Sequence, residues 1–250
     1  AGGPVLPSGA YRRERTPRRG LRHAHERCFM RATYHEALSA VSSDLVQMTE
    51  LVREAVATAT AALLNADLAA AERVISGDAR LDAMHDDLES RCFSLLARQA
   101  PVAGELRTLV AALRMVADLA RMGDLAAHIA KVARMRYPEH AVPAPIEGNF
   151  RRMSELAEAM VAMAGRTLQE SNVLDAERMA DFDEEVDELR ALQFRTLLDD
   201  SWSHGVAAAV DCALLGRYYE RIADHAVLMG SRVIYIVTGL HPEGNNWTIA

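Results

Sequence analysis

The first half of this chain recurs in its second half at a nearly fixed offset. Met48, Glu50 and Leu51 return 105 residues later as Met153, Glu155 and Leu156. Ala71, Glu72 and Arg73 return as Ala176, Glu177 and Arg178, and Asp78 and Asp82 as Asp183 and Asp187. Arg121 and Asp124 correspond to Arg221 and Asp224 at an offset of 100, so a five-residue deletion falls between these blocks. Self-similarity over so many positions implies one structural unit used twice.

The unit reads as helical. Leu109, Leu113, Val116, Leu119, Gly123, Ala126 and Ala130 follow spacings of three and four, the narrow stripe of a bundle helix. Strand-type alternation is almost absent. Aromatic residues make up only 5% of the chain, so Ala, Leu, Val and Met must do most of the packing, which suits long helices. Expected breaks lie at Asn65–Asp67, Pro101, the proline-bearing stretch 137–146, Ser171–Asn172, Ser201–Gly205 and Gly239. Asp67 and Asn172 are good N-cap residues at equivalent places. These breaks predict an all-α protein of two tandem antiparallel three-helix bundles. The first spans 30–138 and the second 148–240, with a linker at 139–147 and a tail at 241–250.

Residues 1–29 mix Gly2, Gly3, Pro4, Pro7, Gly9, Pro17 and Gly20 with seven arginines and read as a disordered basic extension ahead of a body that starts at Met30. The whole chain carries a formal charge of −7, so the body is more acidic still, which argues against a general nucleic-acid binder. Cys28, Cys92 and Cys212 are isolated and form no CxxC, which points to a reducing compartment rather than a disulfide framework or a thiolate zinc site. No apolar run reaches the length of a membrane span, and no signal peptide is visible, so a cytoplasmic location is expected.

The chemistry-bearing residues are carboxylates. Asp78 and Asp82 stand at i and i+4 on one helix face, and Asp183 and Asp187 repeat that arrangement. Glu220 and Asp224 form a third such pair, and Asp124 holds the matching place in the first half. Where neighbouring helices turn these faces together, the carboxylates make a site for a hard or borderline cation. The alternative is a solvated acidic face. His85, His128 and His225 lie near these acids, but the Glu-x-x-His pairs of a di-iron bundle are missing. No nucleophile–base set, glycine-rich phosphate loop, GxSxG or HExxH occurs. Trp247 is either a contact residue or part of an unstructured tail.

The stretch from Tyr218 to Ala226, YYERIADHA, resembles the E-R-x-x-D-H-A signature of the last helix in PhoU proteins. Its first-half counterpart, Asp118 to Asp124, DLARMGD, is similar to their D-L-E-R-x-G-D, and the Asp-x-x-x-Asp pairs look like the family's second-helix acids. The resemblance covers both repeats, from Met30 to about Gly239. It implies a non-enzymatic cytoplasmic regulator of phosphate uptake and phosphate-starvation signalling, acting negatively when phosphate is plentiful. The implied partners are the ATPase subunit of a phosphate ABC transporter, a phosphate-sensing histidine kinase and a second copy of the chain in a homodimer. Contact with the membrane would come only through these partners. The implied ligands are metal ions (iron, manganese, magnesium, calcium or zinc) at Asp183, Asp187, Glu220 and Asp224, and at Asp78, Asp82 and Asp124. Ala120 replaces the family's first-half Glu and Leu228 replaces a frequent Asn, which makes the second cluster the stronger candidate. A metal-dependent enzyme in a carboxylate-lined bundle and a metal-free structural module are the rival readings.

Overall fold

The structure, a computed structural model, describes residues 18–99 and 101–240. Six helices follow in order: α1 (Arg18–Asn65), α2 (Leu68–Gln99), α3 (Gly104–Arg136), α4 (Ala144–Glu170), α5 (Val173–Leu197) and α6 (Gly205–Thr238). Strands are absent among the described residues. The breaks sit where local chemistry places them. Asp67 Oδ1 accepts the Ala70 N–H at 2.9 Å, and Asn172 Oδ1 accepts those of Leu174 and Asp175, satisfying backbone donors that each new helix leaves free. Just before each cap the chain turns through the left-handed region, at Ala66 (φ 50°) and Ser171 (φ 53°), so the repeat preserves even its turns.

Two boundaries differ from the sequence expectation. α1 already begins at Arg18, so the supposed irregular arm 1–29 is helical from that point. No Gly or Pro follows Gly20 until well past α1, and Leu21, Ala24, Glu26 and Arg27 are strong helix formers, a preference hidden by the basic composition. Residues 1–17, the tail 241–250 and Trp247 lie outside the described residues, as does the Cys28 side chain. The linker expected over 139–147 is shorter than predicted, because Pro143 is the N-cap of α4 and Pro145 lies in its first turn, where a missing N–H costs nothing.

Helices α1, α2 and α3 pack on one another, as do α4, α5 and α6. The two bundles then meet through α1 against α4 and α3 against α6, leaving α2 and α5 outermost. One core runs through both bundles, from Met48, Val52, Met115 and Met122 to Phe150, Met153, Tyr219 and Ile222. The interface contacts are reciprocal, as a twofold relation requires. Positions 49 and 154 are equivalent, and so are 60 and 165. Thr49 lies against Gly165, where an added Cβ would stand 3.1 Å from Thr49 Cγ2. Conversely, Ser154 donates to Thr60 Oγ1 at 2.8 Å. Thr60 also meets the Tyr219 hydroxyl at 2.7 Å, which keeps that fully buried phenol hydrogen-bonded.

Inside the second bundle, Gly216 makes room for Gln193 between α5 and α6. An added Cβ would fall 2.8 Å from Gln193 Cδ and closer still to Oε1, while the amide donates to the Cys212 carbonyl at 2.8 Å. Gly216→Ala is therefore expected to cost about 1–3 kcal/mol through overpacking and loss of that bond. Denaturant unfolding checks this, and an unchanged midpoint would show that the amide moves aside freely.

Candidate functional site

The repeated acids lie along two equivalent seams, α2–α3 and α5–α6. In the second bundle, Asp183 and Asp187 face Asp224 across the seam. Burial, then the charges of Asp224 and Asp187, push the Asp183 carboxyl up to about 6. Asp224 is raised as well, by burial above all and further by Asp187, against the opposing pull of Arg217. In the first bundle, Asp78 is raised by burial and then by Asp124 and Asp82. The structure thus brings Asp78, Asp82 and Asp124 into one electrostatic neighbourhood, and Asp183, Asp187 and Asp224 into another.

Glu220 behaves differently. It is ion-paired to Arg190 from α5 and to Arg217 at 2.7 Å, so cationic side chains occupy the place where a fourth ligand was expected. Arg190 also lies 5.3 Å from the centre of the Phe194 ring, which holds it over the seam. Arg121 pairs with Asp124 at 3.1 Å. Among the described residues, no three His, Cys, Asp or Glu side chains stand close enough in this conformation to share one metal ion. The donor set nevertheless suits a hard cation: oxygen ligands of like charge, partly desolvated, with one member raised to about 6. A groove of 280 Å³ opens beside Asp78 and is lined by Leu51, Val74, Leu81 and Arg80, but not by Asp82 or Asp124, so it is not a pocket above the acids.

The histidines play other parts. His128 stacks on Tyr218 with ring centres 5.4 Å apart, joining α3 to α6. His225 is buried, and its Nδ1 lies 3.1 Å from Asp118 Oδ1. Burial, with the Arg221 charge, pushes its pKa down to about 4, so the neutral ring donates from Nδ1. Asp118 is also ion-paired to Arg232 of α6. Sequence reasoning quoted Asp118 and His225 within motifs but did not join them, and it passed over Arg190, Arg217 and Arg232. The available signal was an Asp and an Arg placed on otherwise apolar helix faces. Cys92 and Cys212 are buried free thiols, pushed by burial to about 11 and about 12, and are inert packing groups. Among the described residues no helix is long and apolar enough to cross a membrane.

A family model described as the PhoU domain matches residues 45–133 and again 150–233. The chain is 46% identical over 213 residues to the phosphate-specific transport system accessory protein PhoU homolog 2 of Mycobacterium tuberculosis, covering 85% of this chain and 100% of that one. It is 45% identical over 214 residues to PhoU homolog 1 of Mycobacterium leprae, covering 86% and 96%. The crystal structure of PhoU from Pseudomonas aeruginosa superposes with a TM-score of 0.78 at 28% identity, covering 83% of this chain and 100% of that one. Two matched domains, a doubled three-helix layout and acids repeated at equivalent seams lead to one assignment: this chain belongs to the PhoU family.

Proposed function

We propose that this chain is a non-enzymatic accessory protein of a phosphate-specific transport system. In this reading it works in the cytoplasm, restrains phosphate uptake and holds phosphate-starvation signalling off when phosphate is plentiful. The observation that carries the reading is identity above 40% with mycobacterial accessory proteins along most of both chains. As an adaptor it would contact the transporter's ATPase subunit and a phosphate-sensing histidine kinase, and it would pair with a second copy of itself.

In this reading, Asp183, Asp187 and Asp224 hold a metal ion at the α5–α6 seam, with Glu220 joining once Arg190 and Arg217 release it. Asp78, Asp82 and Asp124 form the lesser site. A bound cation would offset the repulsion that raises Asp183 and draw α5 toward α6, fixing the surface of the outermost helix. A ligand biases such an adaptor only through unequal affinity for its states.

Affinity purification of the full tagged chain from its own host is expected to recover the transporter's ATPase subunit or the kinase. Failure to recover either from crosslinked cells grown in excess phosphate counts against the adaptor role.

A further inference from the structure

In the α3–α6 seam a cleft of 220 Å³ opens between the bundles. Its two charged lining residues are Arg114 of α3 and Arg232 of α6, joined by the Ser231 and Tyr235 hydroxyl groups, with Val110 and Leu228 among its apolar walls. No carboxylate lines it, although the chain carries a net charge of −7. Asp118 is ion-paired to Arg232. Arg114 makes no ion pair among the described residues. Burial, then the Arg114 charge, lower Arg232 to about 10.

We infer that this cleft binds a phosphate group, clamped between Arg114 of one bundle and Arg232 of the other, with Ser231 donating a third hydrogen bond. Planar guanidinium forks match tetrahedral oxyanions, and the partly apolar walls strengthen each charge-assisted bond. Water occupies about 30 Å³ per molecule in the liquid, so the cleft has room for a phosphate group with some of its hydration. Because the clamp takes one arm from each repeat, occupancy would tie α3 to α6 and favour one setting of the two bundles. The site stands apart from the adaptor reading: it is tested by binding to purified protein, whereas that reading is tested in cells.

The test is calorimetric titration of the chelator-treated full chain at constant ionic strength, with inorganic phosphate in one arm and glycerol 3-phosphate in the other. Chelation prevents phosphate from riding on a metal at the acids. Saturable binding of one ligand per chain is expected, weakened at least tenfold by Arg114→Gln and severalfold by Ser231→Ala. Arg114 is exposed, so its variant should melt with the parent. Tighter binding of inorganic phosphate would identify the free ion as ligand, and tighter binding of the ester a phosphorylated metabolite. Absence of binding in both arms, or binding unaltered by both Arg114→Gln and Ser231→Ala, would overturn the inference.

Discussion

Arg232→Met is expected to lower the stability of the folded chain by about 3–5 kcal/mol, among the largest effects of any single surface-accessible position. Arg232 neutralises Asp118, a carboxylate only 7% exposed, at the contact between α3 and α6. Removing the guanidinium leaves a buried anion with only the His225 Nδ1 hydrogen for company. Removing both charges is far less damaging, because an apolar pair of similar volume needs no desolvation of ions. The double variant Asp118→Leu/Arg232→Met is therefore expected to regain most of the loss. Urea unfolding of the parent, the single variant and the double variant checks this. A single variant within about 1 kcal/mol of the parent would mean that Asp118 finds water, and that the pair does not hold the bundles together.

The second large effect has the opposite sign. Asp183→Asn is expected to stabilise the metal-free chain at neutral pH while weakening any cation bound at the α5–α6 seam. Folding raises this carboxyl from 3.8 to about 6, so the folded state binds its proton more tightly than the unfolded state. The resulting penalty is full above about pH 6, declines as pH falls through that value, and is gone below the unfolded value near 3.8. A rise of this size is worth roughly 3 kcal/mol at most. Solvent around the half-buried carboxyl and sharing with its coupled neighbours reduce that to about 1–2 kcal/mol. Melting of the chelated parent and variant at pH 7.5 and pH 5 should show a gap that narrows on acidification. With manganese or magnesium added, the parent should gain stability and the variant should gain much less. Equal melting of the two chelated proteins at both pH values would remove the electrostatic basis of the site.

Much of the architecture was legible because its signals are local. Prolines, cap residues and the glycine at 239 mark helix ends, and the acids at i and i+4 mark a shared face, so the neighbourhood of Asp183, Asp187 and Asp224 followed from spacing and repetition. Two kinds of information were not local. The start of α1 was obscured because arginine-rich composition resembles disorder, although Leu21 to Arg27 favour a helix. The roles of Arg190, Arg217 and Arg232 depend on which turns of neighbouring helices face one another, a register that pattern along one helix does not fix. Asp118 shows this well: its repeat equivalent is Tyr218, and each reaches across the seam to a histidine, but only Asp118 forms a buried ion pair.

The measurement that bears most directly on the central claim is transcript abundance of phosphate-starvation genes in a strain lacking this chain, grown in excess phosphate. The account predicts strong expression in that strain, returned to repression when the intact chain is supplied. Full repression without the chain would contradict it.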